Sequence, residues 1–250
     1  GHGVLGLADC DDAYCQVQQR TAMTAPEYGM IIRTSGPLCL SLHDSPGSDL
    51  PDFIKIISAS DLGPDGHPEP RLSDADLCRL LGQHRKVKKV VVANGPQAVA
   101  QALAAGCDAI EQGYQMGEDN LRTMAAKKVL WIPSVIRAKN GVAGSGSDGG
   151  VFCRFSLGYA ATGKPDPAAK AFWQKMLADQ LMQLEQARAI GVTTAIGTGA
   201  GSTGILHGES VVEEMKLFIK SGYSLEETIR CASVNGAHFF DVQEFGPLTV

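Results

Sequence analysis

The chain has 250 residues, of which 44% are apolar and 20% charged, with a formal net charge of −5. That length buries a substantial core, and the negative balance argues against a nucleic-acid or anionic-membrane partner. No apolar run approaches the roughly 18 residues that span a bilayer, and no basic-then-apolar leader opens the sequence. The seven cysteines include no CxxC pair, and Cys10 and Cys15 have no recognised metal-ligand spacing. Neither a disulfide framework nor a structural zinc site is indicated, and a reducing, cytoplasmic setting is expected.

In chain order, Gly3 to Asp9 reads as a short buried strand ending in the acidic loop CDDAYC. Tyr28 to Ser35 is a second strand, closed by Gly36-Pro37, and DFIKIIS (Asp52 to Ser58) is a third, with Lys55 inside an apolar run. Ser73 caps a helix with Asp74 and Asp76 in its first turn and Leu77, Leu80 and Leu81 on one face. Lys89 to Ala93 is a buried strand and Gln97 to Ala105 a small-residue helix stopped by Gly106. Asp108 to Glu111, a helix from Asp119 to Lys127, and Val129 to Ile132 continue the alternation. Gly141 to Gly150, five of its ten residues glycine, is expected to be a mobile loop.

Pro167 to Ile190 predicts a long amphipathic helix with Phe172, Met176, Leu177, Leu181 and Leu184 at helical spacing. Val192 to Thr198 predicts a strand that runs into the glycine-rich turn of AIGTGAGSTGILHGES. A helix from Ser210 to Lys220 follows, with Val212, Met215 and Leu217 expected inward. Ser224 with Glu227 forms a capping box that starts a last helix through Ala237. Apolar strands alternating with helices mean a parallel sheet covered on both faces. At this length that leaves a (β/α) barrel or an open doubly wound sheet. No GxGxxG follows the first strand, so the TIM-type barrel is favoured, as one domain over residues 1–250.

The strand ends carry a more specific signal. DFIKIIS, AQALAAGCDAIEQG, LWIPSV, AIGTGAG with HGES, and SLEETIRCASVNGAHFF follow one another from Asp52 to the C-terminus. In this order and spacing the chain resembles the amidohydrolase superfamily, in its imidazolonepropionase-like and prolidase-like branch. The resemblance implies a barrel that hydrolyses C–N bonds of amides or cyclic amides with zinc or another divalent metal. Histidines, a lysine and an aspartate at the strand ends would hold that metal, and the aspartate would take a proton from the bound water.

Carried over residue by residue, only the lysine is kept, as Lys55. Asn94 and Gln112 stand at the places of two histidine ligands, Gly199 at the place of the aspartate, and no HxH occurs. The resemblance also sets the start of the chain after the family's first strand. A truncated or divergent barrel is therefore expected: its open edge is covered by another segment or by a second chain, or the sequence is a fragment of a longer protein.

The resulting expectation is a degenerate site with no metal cofactor. Lys55 and His207 are its candidate catalytic remnants, and Asn94, Gln112, Thr198, Gly199 and Ser202 its ligand-binding candidates, the ligand being a small amide or peptide-like molecule. Lys55 is also open to a structural role, as a strand lysine paired with a carboxylate, and Glu111 is expected as a structural partner at the rim. Two other readings stay open: an active hydrolase whose ligands come from another segment or chain, and a non-catalytic partner subunit.

Overall fold

Two short strands, Gly6–Asp9 (β1) and Ile31–Thr34 (β2), pair in parallel. Phe53–Ile57 (β3), Lys88–Ala93 (β4), Ala109–Gln112 (β5) and Leu130–Ile132 (β6) then form a four-stranded parallel sheet in sequence order. The computed structural model describes residues 6–9, 31–35, 51–59, 72–83, 86–144, 150–151, 159–160, 166–200 and 205–242. These strands read as continuous apolar runs because both faces are covered. Ile54, Ile56, Val91 and Ile110 pack outward under helices, while Phe53, Val90, Ala109, Leu130 and Ala195 make an inner layer.

Helices fill the crossovers. Asp74–Gln83 (α1) starts at Ser73, whose hydroxyl accepts from the Asp76 amide at 3.2 Å. Pro96–Ala105 (α2) and Glu118–Lys127 (α3) follow β4 and β5. Val135–Gly144 (α4) follows β6 and takes in four of the residues expected in a mobile loop. The reason is packing: a Cβ on Gly141 would lie 2.4 Å from Trp173 Cδ2, so glycine here lets the helix lie directly on an indole. The short strands Gly150–Val151 (β7) and Tyr159–Ala160 (β8) pair antiparallel. Pro167–Ile190 (α5) has the expected bounds, with Asp166 accepting from the Ala168 and Ala169 amides at 3.0 Å.

Three other expectations are corrected. Val192 to Thr198 lies along β6 but makes a single parallel bridge, Thr194 to Trp131. On its other side it meets a helix, with the Ile196 amide donating to the Cys231 carbonyl at 2.9 Å, so among the described residues no second strand completes a ladder. In Glu209–Lys220 (α6) Leu217 is buried as expected, but Val212 is 45% exposed and the inward face carries Ser210, Glu214, Leu217 and Phe218. The last helix divides at Ser233 into Leu225–Ala232 (α7) and Val234–Phe239 (α8). The capping box of Ser224 and Glu227 is present.

Candidate functional site

Side chains alternate along a strand, so the inner layer of Phe53, Val90 and Ala109 is followed two residues on by Lys55, Val92 and Glu111. These three face a cleft of about 200 Å³ at the carboxyl ends of the strands. Ile57, Gln112, Ser134, Arg137, Thr198, Gly199 and Ile205 complete its lining. Lys55 pairs in register with Val90, and Glu111 with Val92. The two charges therefore reach each other across β4: Lys55 Nζ lies 2.9 Å from Glu111 Oε1 and 2.7 Å from Oε2. With side chains 12% and 11% exposed, this is a largely desolvated ion pair, the structural pairing the sequence left open.

A short chain of amides fixes what the cleft presents. The Tyr114 backbone N–H donates to Asn94 Oδ1 at 2.9 Å, so the other end of that amide must be nitrogen. Asn94 Nδ2 donates to Gln112 Oε1 at 2.7 Å and to the Ala59 carbonyl at 3.2 Å. Gln112 therefore turns its own NH₂ away from Asn94, and that group meets no partner among the described residues. Asn94 is fully buried and lies behind the cleft. It orients Gln112 and does not itself line the site.

Two strand ends here carry left-handed backbone on residues with a Cβ, Gln112 at φ 71 and Ser134 at φ 47, a conformation costing about 1–2 kcal/mol per residue. Helix α5 holds both. Buried Gln180 donates to the Gln112 carbonyl at 2.7 Å and to the Pro133 carbonyl at 2.9 Å. Gln183 donates to Gln180 Oε1 at 2.9 Å and accepts from the Gly117 amide at 3.1 Å. Ser134 is held again by its hydroxyl, which donates to the Gly197 carbonyl at 2.6 Å.

Helix α4 enters the site with its first amides already satisfied. Glu214 of α6, fully buried, accepts from Val135 N at 2.8 Å and Ile136 N at 2.6 Å. An acidic group suits a helix N-terminus. Burial nevertheless pushes the Glu214 carboxyl up to about 7, against the lowering by those two amides and by Lys139. One turn of helix places Arg137 on the cleft wall. Its guanidinium makes no ion pair with a described residue.

Of the residues chosen from sequence, Lys55, Gln112, Thr198 and Gly199 meet in this cleft. Asn94 stands behind it, and His207 sits exposed on the turn before α6, outside the lining. Ser202 lies outside the described residues. Sequence reasoning missed Arg137, Ser134 and the supporting Gln180, Gln183 and Glu214. The signal for the last three was a polar residue on an otherwise apolar helical stripe.

Chemically the lining is rich in donors. Arg137, the Gln112 NH₂ and the Thr198 hydroxyl, which accepts from Ala200 N at 3.2 Å and keeps its hydrogen, can all donate to a ligand. Among the described residues Glu111 is the one carboxylate of the lining, and it faces an ammonium. No three His, Cys, Asp or Glu side chains converge among the described residues. Neutral amides and one paired carboxylate are a poor fit for a divalent metal.

No family profile and no curated protein sequence matches the chain. Solved structures do match. A Xaa-Pro dipeptidase with methionine bound in its active site superposes with a TM-score of 0.74 at 15% identity, over 97% of this chain and 66% of that one. A. niger ochratoxinase gives 0.73 at 15% identity, over 98% and 62%. The fold is that of the amidohydrolase barrels. A putative prolidase from Bifidobacterium longum gives 0.74 at 19% identity, over 100% and 65%. The chain thus spans somewhat less than two thirds of the length of these barrel proteins, and identities this low carry the fold alone. The cleft occupies the carboxyl ends of the parallel strands, the end at which such barrels place their working residues.

Proposed function

We propose that this amidohydrolase-type barrel binds a small amide or peptide-like ligand at its strand ends and does not carry out metal-dependent C–N hydrolysis. The observation that carries the reading is the closed set of contacts at the ligand positions implied by the resemblance. Lys55 faces Glu111, and Asn94 is spent on Gln112, Ala59 and Tyr114. A bridging lysine would need metal charge around it, and these groups supply none. The lining supports binding instead: hydroxyl, amide and guanidinium donors around a cleft smaller than the roughly 300–1,000 Å³ of drug-sized pockets.

The test is metal content together with ligand binding. After equilibrium dialysis against zinc and then manganese, elemental analysis should find well under one equivalent of either retained. N-Acetylglycine or its amide should bind to the same metal-free protein, seen as saturable shifts of the Gln112 side-chain amide in NMR. One tightly held equivalent of metal, lost on Lys55→Met, would overturn the reading in favour of an active hydrolase completed by another segment or chain.

A further inference from the structure

We propose that the cleft selects ligands bearing a carboxylate, and that Arg137 is the residue that receives it. This deepens the binding function proposed above and rests on it. Three observations converge. First, the charges of the lining do not cancel by pairing: Glu111 is met by Lys55, while Arg137 has no anionic partner among the described residues. A half-buried guanidinium without a counter-ion is costly to hold, and a carboxylate matches its planar fork with two parallel hydrogen bonds.

Second, the amide chain from Tyr114 through Asn94 sets Gln112 with its NH₂ left over, so the neighbouring polar group is a donor too. Thr198 adds a hydroxyl hydrogen. Arg137, Gln112 and Thr198, the described groups on this side of the cleft, therefore all offer hydrogens, and they favour a ligand rich in acceptors. A carboxylate carried on an amide supplies acceptors both to Arg137 and to these neutral donors.

Third, the amides at the start of α4 are not available to an anion. Glu214 takes those of Val135 and Ile136, and the Arg137 amide bonds the Ser134 carbonyl at 3.2 Å. Recognition of negative charge at this end of the cleft is thus left to the Arg137 side chain. The same Glu214 contacts anchor the turn from which Arg137 projects.

The experiment compares N-acetylglycine with N-acetylglycinamide, which differ only in replacing the carboxylate by a neutral amide. Binding to the full chain is followed by NMR titration at low salt. The acid should bind at least tenfold more tightly. Arg137→Gln should abolish that preference, bringing the two probes to within about twofold of each other. Arg137→Lys, which keeps the charge and loses the fork, should retain part of it. Equal affinity for the two probes, or a preference that survives in Arg137→Gln, overturns the carboxylate site and leaves the binding function standing. Failure of both probes to bind overturns the two together. Amide spectra of the variants that overlay the parent except near α4 show that the fold is intact.

Discussion

Replacing Glu214 by alanine is expected to lower the unfolding free energy by about 3 kcal/mol, measured by urea denaturation at pH 8. The two amides it serves, those of Val135 and Ile136, are both buried, and each unsatisfied buried donor costs about 1–3 kcal/mol. The removed carboxylate no longer has to be desolvated, which offsets part of that sum.

The pH dependence has a definite sign. Burial raises the folded-state value from 4.5 to about 7, so between those values the folded chain holds a proton that the unfolded chain has released. The stability contributed by this group is complete below about pH 4.5 and is lost as the pH rises through about 7. At 1.36 kcal/mol per unit the window is worth about 3 kcal/mol. Urea curves of the parent and of Glu214→Gln, subtracted at each pH, should show the parent losing ground across that window. A difference that stays flat would mean that the carboxyl titrates at its ordinary value.

Lys55→Met should cost about 3 kcal/mol, because it strands Glu111 in a layer where only about a tenth of its side chain is exposed. Breaking a buried pair from one side costs more than replacing both partners. The double variant Lys55→Met with Glu111→Leu is therefore expected to recover about 2 kcal/mol of the loss. A denaturation cycle over the four proteins measures the coupling directly. Coupling below about 0.5 kcal/mol would show that the pair is too well solvated to matter.

How much of this was legible depends on the kind of signal each residue leaves. Strands β3 to β6 and helices α1 to α3 announced themselves through apolar runs and glycine or proline punctuation, and they differ from expectation only at their ends. The Lys55–Glu111 pair was within reach because a charge inside a buried strand demands a partner. Helix α4 was hidden by its glycines, since only the tertiary contact with Trp173 explains why Gly141 belongs in a helix.

Glu214 was hidden by a phase error. Counting Val212 as inward rotates α6 away from the true face, on which Ser210, Glu214, Leu217 and Phe218 recur at spacings of four, three and one. Read on that face, the acidic residue stands out. Gln180 and Gln183 are similar, polar side chains on the stripe of Met176, Leu184 and Ala187 whose partners are backbone groups and each other, which no sequence displays. Arg137 leaves no pattern at all. It becomes visible only when the one carboxylate of the described lining, Glu111, is seen to be paired with Lys55 instead.

The amide chain behind the cleft has one further consequence. Tyr114 N–H, Asn94 and Gln112 form a line in which each group dictates the orientation of the next. The direction is set by a backbone hydrogen that cannot be reversed, so the donor character of Gln112 is inherited from buried positions behind the cleft lining. An acid in place of Asn94 would still accept from Tyr114 but would have no hydrogen for Gln112, whose amide would then turn its oxygen outward. The polarity of the cleft surface at Gln112 is thus written one layer behind its wall, where a single buried side chain can reverse it.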